Sequence, residues 1–320
     1  MVKLSFVIPC YRSEHTITEV VQEIKKTVAK RSAYDYEIIL VNDSSPDNVY
    51  NVISELSTLD HKVKGLDLAN NFGQHAALLT GLRYVTGDIV ICLDDDGQTP
   101  PSEMFKLIEK LDEGFDVVFA KYEDKKHSLF RNLGSQVNDF MTRILLGKPK
   151  DLSIMSYFCC KRFVIDEIIK YNNPYPYMHG LLLRTTNKIT NVLIPHFDRK
   201  DGSSGYTFKK LIRLWVNGFT AFSVKPLRIS TLVGALFAFL GFLYGIYVII
   251  NKFLNPDAPL GYSSTMAMLV FIGGTILFML GLVGEYIGRI YISINHSPQA
   301  VVRQSINIED SENGNENEKK

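Results

Sequence analysis

Two long stretches without a charged residue dominate the C-terminal third of the chain. Residues 229–251 form an uncharged run of 23 residues, and residues 258–284 form another of 27. As helices, at about 1.5 Å per residue, both could cross the roughly 30 Å hydrocarbon layer of a bilayer. The segment between them contains Asn255-Pro256 and predicts a short turn. A helix pair buried in a soluble core is the alternative, but runs this long favour two membrane spans, at about 229–251 and 263–284.

The charges that flank these runs predict an orientation. Basic residues flank the pair on both outer sides, whereas the turn carries one lysine and one aspartate; the basic residues are Lys209, Lys210, Arg213, Lys225 and Arg228 before it and Arg289 and Arg303 after it. Loops rich in lysine and arginine stay in the cytoplasm. We therefore expect a multi-pass protein of the inner (plasma) membrane, with both termini in the cytoplasm.

The segments on either side of the predicted hairpin differ in character. Residues 206–225 place apolar side chains such as Phe208, Trp215 and Phe219 at helical spacing beside lysines, which predicts an amphipathic helix at the membrane interface. An ordinary surface helix is the alternative. Residues 285–320 are expected to be a largely disordered cytoplasmic tail, because from Arg303 onward the chain is polar and has no aromatic residue.

Residues 1–205 have the pattern of an α/β domain. Short apolar runs over 4–9, 36–42, 63–67 and 88–93 predict strands, and the stretches 16–30, 49–59 and 74–86 between them predict helices. This alternation predicts a mainly parallel sheet covered by helices, which binds ligands at the carboxyl ends of its strands. No P-loop or GxGxxG pattern is present, which disfavours kinases and dehydrogenases.

The composition narrows the partners and the compartment. The chain has 35 lysine and arginine residues against 34 aspartate and glutamate residues, so its overall charge does not favour nucleic acid. Four cysteines lie in apolar contexts without metal-ligand spacing, which predicts reduced thiols and a cytosolic domain. The N-terminus begins directly with a strand pattern and lacks secretory signal features, so this domain is expected to remain in the cytoplasm.

Three consecutive acids follow the predicted strand 88–93. In an extended chain Asp94 and Asp96 point the same way and Asp95 points elsewhere. Two carboxylates that converge repel each other unless a cation lies between them, and Mg²⁺ or Mn²⁺ prefers such oxygen ligands. A metal there would hold a nucleotide pyrophosphate. A solvated acidic turn or a helix cap is an equally good interpretation of this run alone.

Two further strand ends carry polar groups. Asp43 follows the second strand and could either cap the next helix or accept a hydrogen bond from a nucleobase or ribose. Pro9, Tyr11 and Glu14 lie at or just after the end of the first strand. If the sheet is parallel, these ends and the aspartate run share one crevice.

These segments together resemble a known family. FVIPCY at 6–11, VNDSS at 41–45, NNFGQ at 70–74 and DDDGQTPP at 94–101 are similar to motifs of the inverting family 2 glycosyltransferases with a GT-A fold. Similarity extends to GEYIGR at 284–289, as in the polyprenyl-phosphate glycosyltransferases related to dolichol-phosphate mannose synthase, GtrB and ArnC. It covers roughly residues 3–300, and the combination is more specific than any single motif.

The resemblance assigns roles to the strand-end residues. It implies a nucleoside site, a site for pyrophosphate and Mg²⁺ or Mn²⁺, and a neighbouring donor-sugar site; the residues are Pro9, Tyr11, Glu14, Asp43 and Asp95 for the nucleotide, Asp94 and Asp96 for the pyrophosphate and metal, and Gln98 for the sugar.

The same resemblance implies a phosphate-binding segment, RKDGSSGY at 199–206. Arg199 and Ser204 would contact phosphates, with Tyr206 beside them. Gly205 replaces the family's usual lysine, so the candidates for the missing contact are Lys200, Lys209 and Lys210. Without the resemblance, the better interpretation of Arg199 is an ordinary charged residue on the protein surface.

A second departure lies in DLSIMSYF at 151–158. Asp151 is the one acid there, and Ser156 stands where relatives often have arginine. This segment is expected to shape the donor-sugar and acceptor pocket, so the substrate could differ from those of the best-known relatives.

The resemblance thus implies a membrane-bound enzyme. It would transfer a sugar, with inversion, from a nucleotide sugar to polyprenyl (undecaprenyl) phosphate, and Asp43 weakly favours uridine over guanosine. A phosphate dianion needs no strong base, although Asp151 is a candidate. The alternatives are a glycosyltransferase with a hydroxyl acceptor and a non-catalytic nucleotide-binding adaptor; a homo-oligomer is left open.

Overall fold

The structure, a computed structural model, describes residues 1–122, 143, 147–195, 225–254, 261–295 and 298–308. The chain divides into two compact units. The sheet unit consists of Met1–Thr207 together with Pro298–Lys320, and the helical unit consists of Phe208–Ser297. The helical unit is therefore inserted into the sequence of the sheet unit.

The sheet unit has an α/β architecture. Its described elements, in chain order, are β1 (Val2–Cys10), α1 (Ile17–Val28), β2 (Tyr34–Asn42), α2 (Val49–Leu59), β3 (Val63–Leu68), α3 (Gln74–Leu82), β4 (Ile89–Cys92), a 3-10 turn (Pro101–Glu103), α4 (Met104–Asp112), β5 (Val117–Tyr122), β6 (Phe158–Lys161), α5 (Arg162–Ile168), α6 (Met178–Thr185), β7 (Ile189–Ile194) and β8 (Val302–Ile306).

Eight strands form one sheet, in the order β7-β5-β6-β4-β1-β2-β3-β8. The neighbours in the β4-β1-β2-β3 part run parallel, β5 and β7 are also parallel, and β6 and β8 run antiparallel to their neighbours. The predicted mainly parallel sheet is confirmed. Its first three strand-helix units follow the predicted boundaries closely, because the central parts of β1 and β2 are apolar and buried.

A glycine sets the position of α3. A Cβ atom on Gly81 would lie 2.6 Å from Cγ1 of Val7 on β1 and 2.9 Å from Cγ2 of Val41 on β2. Such distances are closer than side-chain atoms tolerate, so the helix can lie this near the sheet because residue 81 is glycine. Helix α3 begins at Gln74, whose side chain contacts Asp94 just after the carboxyl end of β4.

The predicted absence of structure from Arg303 onward is wrong for β8. Residues Val302–Ile306 pair antiparallel with β3, and Nδ2 of Asn307 donates to the carbonyl oxygens of Ser57 (2.6 Å) and Val63 (2.9 Å). Composition measures how much apolar surface a segment can bury, whereas this strand obtains its order from backbone pairing at a sheet edge. Residues 309–320 lie outside the described part of the chain.

The helical unit contains two long helices, α7 (Lys225–Leu254) and α8 (Tyr262–Ile294). Each includes a stretch long and apolar enough to cross a membrane by length and composition, Ser230–Tyr247 and Phe271–Ile294. Two helices were predicted here, but α8 continues ten residues beyond residue 284, so the predicted start of the tail at 285 is wrong. The predicted interfacial helix over 206–225 lies outside the described residues, except that residue 225 begins α7.

A buried glutamate joins the amino ends of the parallel strands. The carboxylate of Glu37, which is 2% exposed, accepts hydrogen bonds from the Ser5 hydroxyl (2.5 Å) and the Thr86 backbone N–H (2.6 Å), and it pairs with Lys64 (2.9 Å). Burial alone would raise the pKa of Glu37, but these partners outweigh it and lower the pKa from 4.5 to about 2. Glu37 thus stabilises the edge of the sheet opposite the strand carboxyl ends.

We expect Glu37→Gln to destabilise the protein by roughly 2–3 kcal/mol at pH 7. A lowered folded-state pKa contributes stability above the unfolded value near 4.5, and this contribution is lost as the pH falls towards about 2. The difference in melting temperature from the wild type, roughly 5 °C at pH 7, should therefore shrink by about half at pH 3. Circular dichroism of the full chain in detergent measures it. Glu55→Gln, at an exposed position on α2, is the control; an equal effect of both variants would contradict the assignment.

Candidate active site

The three strand ends that were predicted to share a crevice are neighbours in the sheet. Because β4, β1 and β2 are neighbours and parallel, the aspartate run after β4, the turn after β1 and the turn after β2 meet at one edge of the sheet. This edge is where parallel α/β sheets bind ligands.

Asp94 is held by two neutral side chains from other segments. Nε2 of Gln74, the first residue of α3, donates to Oδ1 of Asp94 (3.0 Å), and the hydroxyl of Ser156 donates to Oδ2. Burial raises the pKa of Asp94 from 3.8 to about 6; the Ser156 hydrogen bond opposes this rise, and the charges of Asp96 and Asp95 add to it. Neutral partners orient the carboxylate without cancelling its charge.

The other two acids of the run have different surroundings. Oδ2 of Asp95 accepts from the backbone N–H of Tyr11 (2.9 Å), and the Asp95 carbonyl oxygen accepts from the Thr16 hydroxyl (2.6 Å). Asp95 thus fastens the β1 turn to the end of β4. Oδ1 of Asp96 accepts from the backbone N–H of Gln98 (3.0 Å), and its charge acts on Asp94. The Asp94 and Asp96 carboxylates therefore interact electrostatically, and that of Asp95 accepts from the Tyr11 backbone; the convergence of Asp94 and Asp96 on one cation stays a prediction.

Asp43 does not cap a helix. Helix α2 begins after Asn48, and the first N–H groups of this helix meet the carboxylates of Glu14 and Asp47. The carboxylate of Asp43, 3% exposed, instead accepts from the backbone N–H groups of Phe72 (2.7 Å) and Gly73 (2.9 Å). Burial raises its pKa, and the two backbone donors partly offset this rise. Asp43 therefore shapes the turn before α3, and the capping interpretation is wrong.

The turns after β1 and β2 are bonded to each other. The hydroxyl of Ser45 accepts from the backbone N–H of Arg12 (2.8 Å), and Oε2 of Glu14 accepts from the backbone N–H of Asn48 (2.9 Å). Arg12 and Ser44 have positive φ angles, 59° and 49°, a conformation that these contacts must hold in place.

Tyr11 presents the exposed surface of this pair of turns. Its side chain is 43% exposed, and the Arg12 guanidinium lies 5.6 Å from the centre of its ring. An aromatic face in this position could stack on a nucleobase. Pro9, which was also predicted to contact the nucleotide, lies within β1 opposite Val41 on β2.

The carboxylates of Asp94 and Asp96 fit a divalent cation whose coordination shell is completed by oxygen atoms of a bound ligand. Within the described ranges, no group of three or more histidine, cysteine or acidic side chains could hold a metal by itself. Mg²⁺ is typically bound by one or two carboxylates plus substrate phosphates and waters. Two adjacent carboxylates, one of them disfavoured as an anion by burial, match that arrangement.

A cluster of aromatic and imidazole rings that includes His75, the residue after Gln74, was missed by the sequence analysis. The ring of His75 lies 5.1 Å from that of Tyr177 and 5.5 Å from that of His179, measured between centroids. Burial lowers the pKa of His75 to about 4 and of His179 to about 3, so both are neutral at pH 7. The contacts of Gln74 and Ser156 were also missed, although both residues lie in segments that the resemblance had singled out.

The remaining predicted residues cannot be placed in the crevice. Asp151 lies exposed in a turn before β6, and its role as a base stays a prediction. The residues predicted to contact phosphate lie outside the described residues; they are Arg199, Ser204, Tyr206, Lys209 and Lys210. The cysteines are free and buried, as predicted.

Comparison with known proteins gives full-length matches. Residues 5–170 match Glycosyl transferase family 2, and residues 225–290 match the GtrB C-terminal hairpin. The chain is 33% identical to "Uncharacterized glycosyltransferase YkcC" of Bacillus subtilis, over 96% of this chain and 95% of that protein. It is 32% identical to "Undecaprenyl-phosphate 4-deoxy-4-formamido-L-arabinose transferase" of Klebsiella pneumoniae, over 94% of each chain.

The fold has solved counterparts. Glucosyl-3-phosphoglycerate synthase from Mycobacterium tuberculosis, crystallised with Mn²⁺, UDP-glucose and phosphoglyceric acid, aligns with a TM-score of 0.50 and 16% identity, over 68% of this chain and 78% of that one. At this identity the likeness concerns the GT-A fold alone.

The sheet topology, the carboxylates at its carboxyl edge and the matches over nearly the whole chain lead to one assignment. The chain is an enzyme that belongs to glycosyltransferase family 2 and has the C-terminal hairpin of the GtrB type.

Proposed function

We propose that this enzyme transfers a sugar from a nucleotide sugar, with UDP as the favoured nucleotide, to polyprenyl phosphate at the cytoplasmic face of the membrane, with inversion. The observation that carries the proposal is the Asp94 and Asp96 pair at the strand carboxyl ends, in a chain that also has two apolar helices. The name of the Klebsiella relative, an undecaprenyl-phosphate transferase, supports the acceptor.

On the donor side, the two turns would hold the nucleoside. Tyr11 offers an exposed ring, and the Asp43 carboxylate fixes the turn at Phe72 and Gly73 that borders the same edge. Asp94 and Asp96 would hold Mg²⁺ or Mn²⁺ at the diphosphate site. When bound, such a cation neutralises negative charge on the departing nucleoside diphosphate. Gln74 and Ser156 keep the Asp94 carboxylate oriented for this task.

On the acceptor side, the lipid phosphate is its own nucleophile. A phosphate monoester with a second pKa near 6 is largely a dianion at pH 7. Its oxygen forms the new bond to the anomeric carbon while the bond from that carbon to the diphosphate breaks, so no proton has to be removed. The protein's contribution is then positioning and charge neutralisation. Arg199, Ser204 and the nearby lysines are the proposed phosphate contacts.

The direct test offers the purified full chain a panel of labelled sugar nucleotides with undecaprenyl phosphate or with undecaprenol. The two lipids differ in the phosphate alone. We expect one sugar nucleotide to give a product with the phosphate lipid and none with the alcohol, because the alcohol would need a general base. A product with the alcohol instead would favour the alternative of a hydroxyl acceptor. If no sugar nucleotide releases its nucleotide in the presence of either lipid, the proposal is overturned.

We expect Asp96→Asn to lower turnover about 100-fold or more, because an amide binds a divalent cation weakly. Chelation by EDTA should abolish wild-type turnover, and added Mn²⁺ or Mg²⁺ should restore it. Asp112→Asn, at an exposed position at the end of α4, is the matched control and should retain activity. A near-normal rate for Asp96→Asn, with an unchanged melting temperature, would remove this carboxylate from the site.

Replacing residues 225–297 by a long flexible linker should spare nucleotide binding and greatly reduce turnover of undecaprenyl phosphate in vesicles. The hairpin is proposed to keep the enzyme at the surface where the lipid phosphate is exposed. The linker is preferable to truncation because truncation also removes β8, which belongs to the sheet. Turnover in vesicles equal to that of the wild type would argue against presentation by the membrane.

A further inference from the structure

The residues that follow the helical unit return to the sheet unit as an ordered segment, residues 298–308, here called the C-terminal arm. Its first anchor is Gln299, whose side chain accepts from Arg83 (2.8 Å) and donates to the carbonyl oxygens of Tyr171 (2.9 Å) and Asn173 (2.6 Å). Its last anchor is Asn307, bonded to Ser57 and Val63. The arm is thus fixed at both ends by contacts away from the crevice.

Arg303, in the middle of the arm, makes contacts of another kind. Its NH1 atom lies 3.4 Å from Oδ2 of Asp67, at the end of β3, and its NH2 atom donates to the Ala69 carbonyl oxygen (3.0 Å). The Arg303 side chain is 58% exposed, whereas that of Asp67 is 5% exposed. A buried carboxylate is costly without partners, so Asp67 depends on the groups that surround it.

Hydrogen bonds connect Asp67 to the turn after β2. Its Oδ1 atom accepts from Nδ2 of Asn42 (2.7 Å), and Oδ1 of Asn42 accepts from the backbone N–H of Ser45 (3.0 Å). The Ser45 hydroxyl accepts in turn from the backbone N–H of Arg12. A continuous series of hydrogen bonds therefore runs from Arg303 to the residue beside Tyr11.

A second connection runs along the chain between β3 and α3. The backbone N–H of Ala69 donates to the Val301 carbonyl oxygen (2.8 Å), so the arm holds both polar backbone groups of Ala69. Three and four residues later lie Phe72 and Gly73, whose N–H groups donate to Asp43. The arm and Asp43 thus hold the two ends of one short segment.

We propose that Arg303 is a positioning residue for the nucleotide pocket. Through Asp67 and Ala69 it holds the turn after β2 and the turn before α3, both of which border the crevice. The inference rests on the proposed function, because it takes these turns to be the nucleoside site. In this proposal the C-terminal arm, which follows the membrane hairpin in the sequence, contributes to donor binding.

The test measures the dissociation constants of UDP and GDP by calorimetry, and kcat at saturating donor, for the full chain in detergent. For the nucleotide that the wild type binds more tightly, we expect Arg303→Ala to raise the dissociation constant about fivefold or more. The change in kcat at saturating donor should be about twofold or less, because Arg303 does not touch reacting groups. Arg303→Lys should give an intermediate rise, since one ammonium group cannot reach both Asp67 and Ala69 as a guanidinium fork does.

Asn307→Gly is the matched control. It removes two hydrogen bonds from the same arm, and glycine tolerates the positive φ of 58° at this position. If Arg303 positions the pocket, Asn307→Gly lowers the melting temperature and leaves nucleotide affinity near the wild-type value. An equal loss of affinity in both variants, or an affinity of Arg303→Ala within twofold of the wild type, would overturn the proposal.

Asp67→Asn keeps the test decisive if Arg303→Ala does not fold. It preserves the side-chain volume while removing the charge that Arg303 meets, and we expect it to weaken nucleotide binding in the same way. Unchanged affinity in that variant would count against the proposal. Failure of the wild type to bind either nucleotide would be a different result, since it would overturn the proposed function itself.

Discussion

The site depends on carboxylates that must stay oriented although they are partly withdrawn from water. Asp94 is held by a glutamine and a serine, Asp95 by the backbone of Tyr11, and Asp43 by two backbone amides. None of these partners carries a charge. A neutral donor fixes a carboxylate in direction and leaves its negative charge available to a cation or a ligand. Burial raises the pKa of Asp94 to about 6, and the hydrogen bonds from Ser156 and Gln74 only partly oppose this rise.

At the opposite edge of the same sheet, a buried carboxylate has a charged partner. Glu37 is buried as well, but it meets Lys64 in addition to its neutral donors, and its pKa falls to about 2. Because that charge is satisfied within the protein, Glu37 can stabilise the fold but cannot bind a substrate. The opposite pKa shifts of Asp94 and Glu37 accord with the opposite strand ends at which these two acids lie.

The insertion of the helical unit into the sequence of the sheet unit has a mechanical consequence. The chain leaves the sheet unit before the hairpin and returns to it as β8, so the hairpin is attached at both of its ends. The returning arm contributes backbone pairing at the edge of the sheet and side-chain contacts to Asp67 and Ala69. Loss of everything after residue 225 would remove both the apolar helices and a strand of the catalytic fold. The first loss removes apolar surface, and the second removes backbone pairing at the edge of the sheet.

The sequence alone determined the elements that local patterns control. Apolar runs and their spacing predicted β1 to β4, the helices between them and the apolar hairpin, and the aspartate run indicated the edge of the sheet that carries the site. Tertiary structure alone decided the partners of those acids. Gln74 meets Asp94 across 20 residues, Ser156 meets it across 62, and Arg303 reaches Asp67 across 236. A hydrogen bond between distant residues leaves no periodic trace in the sequence, because it depends on how strands and helices are arranged around the sheet and not on the residues that adjoin it.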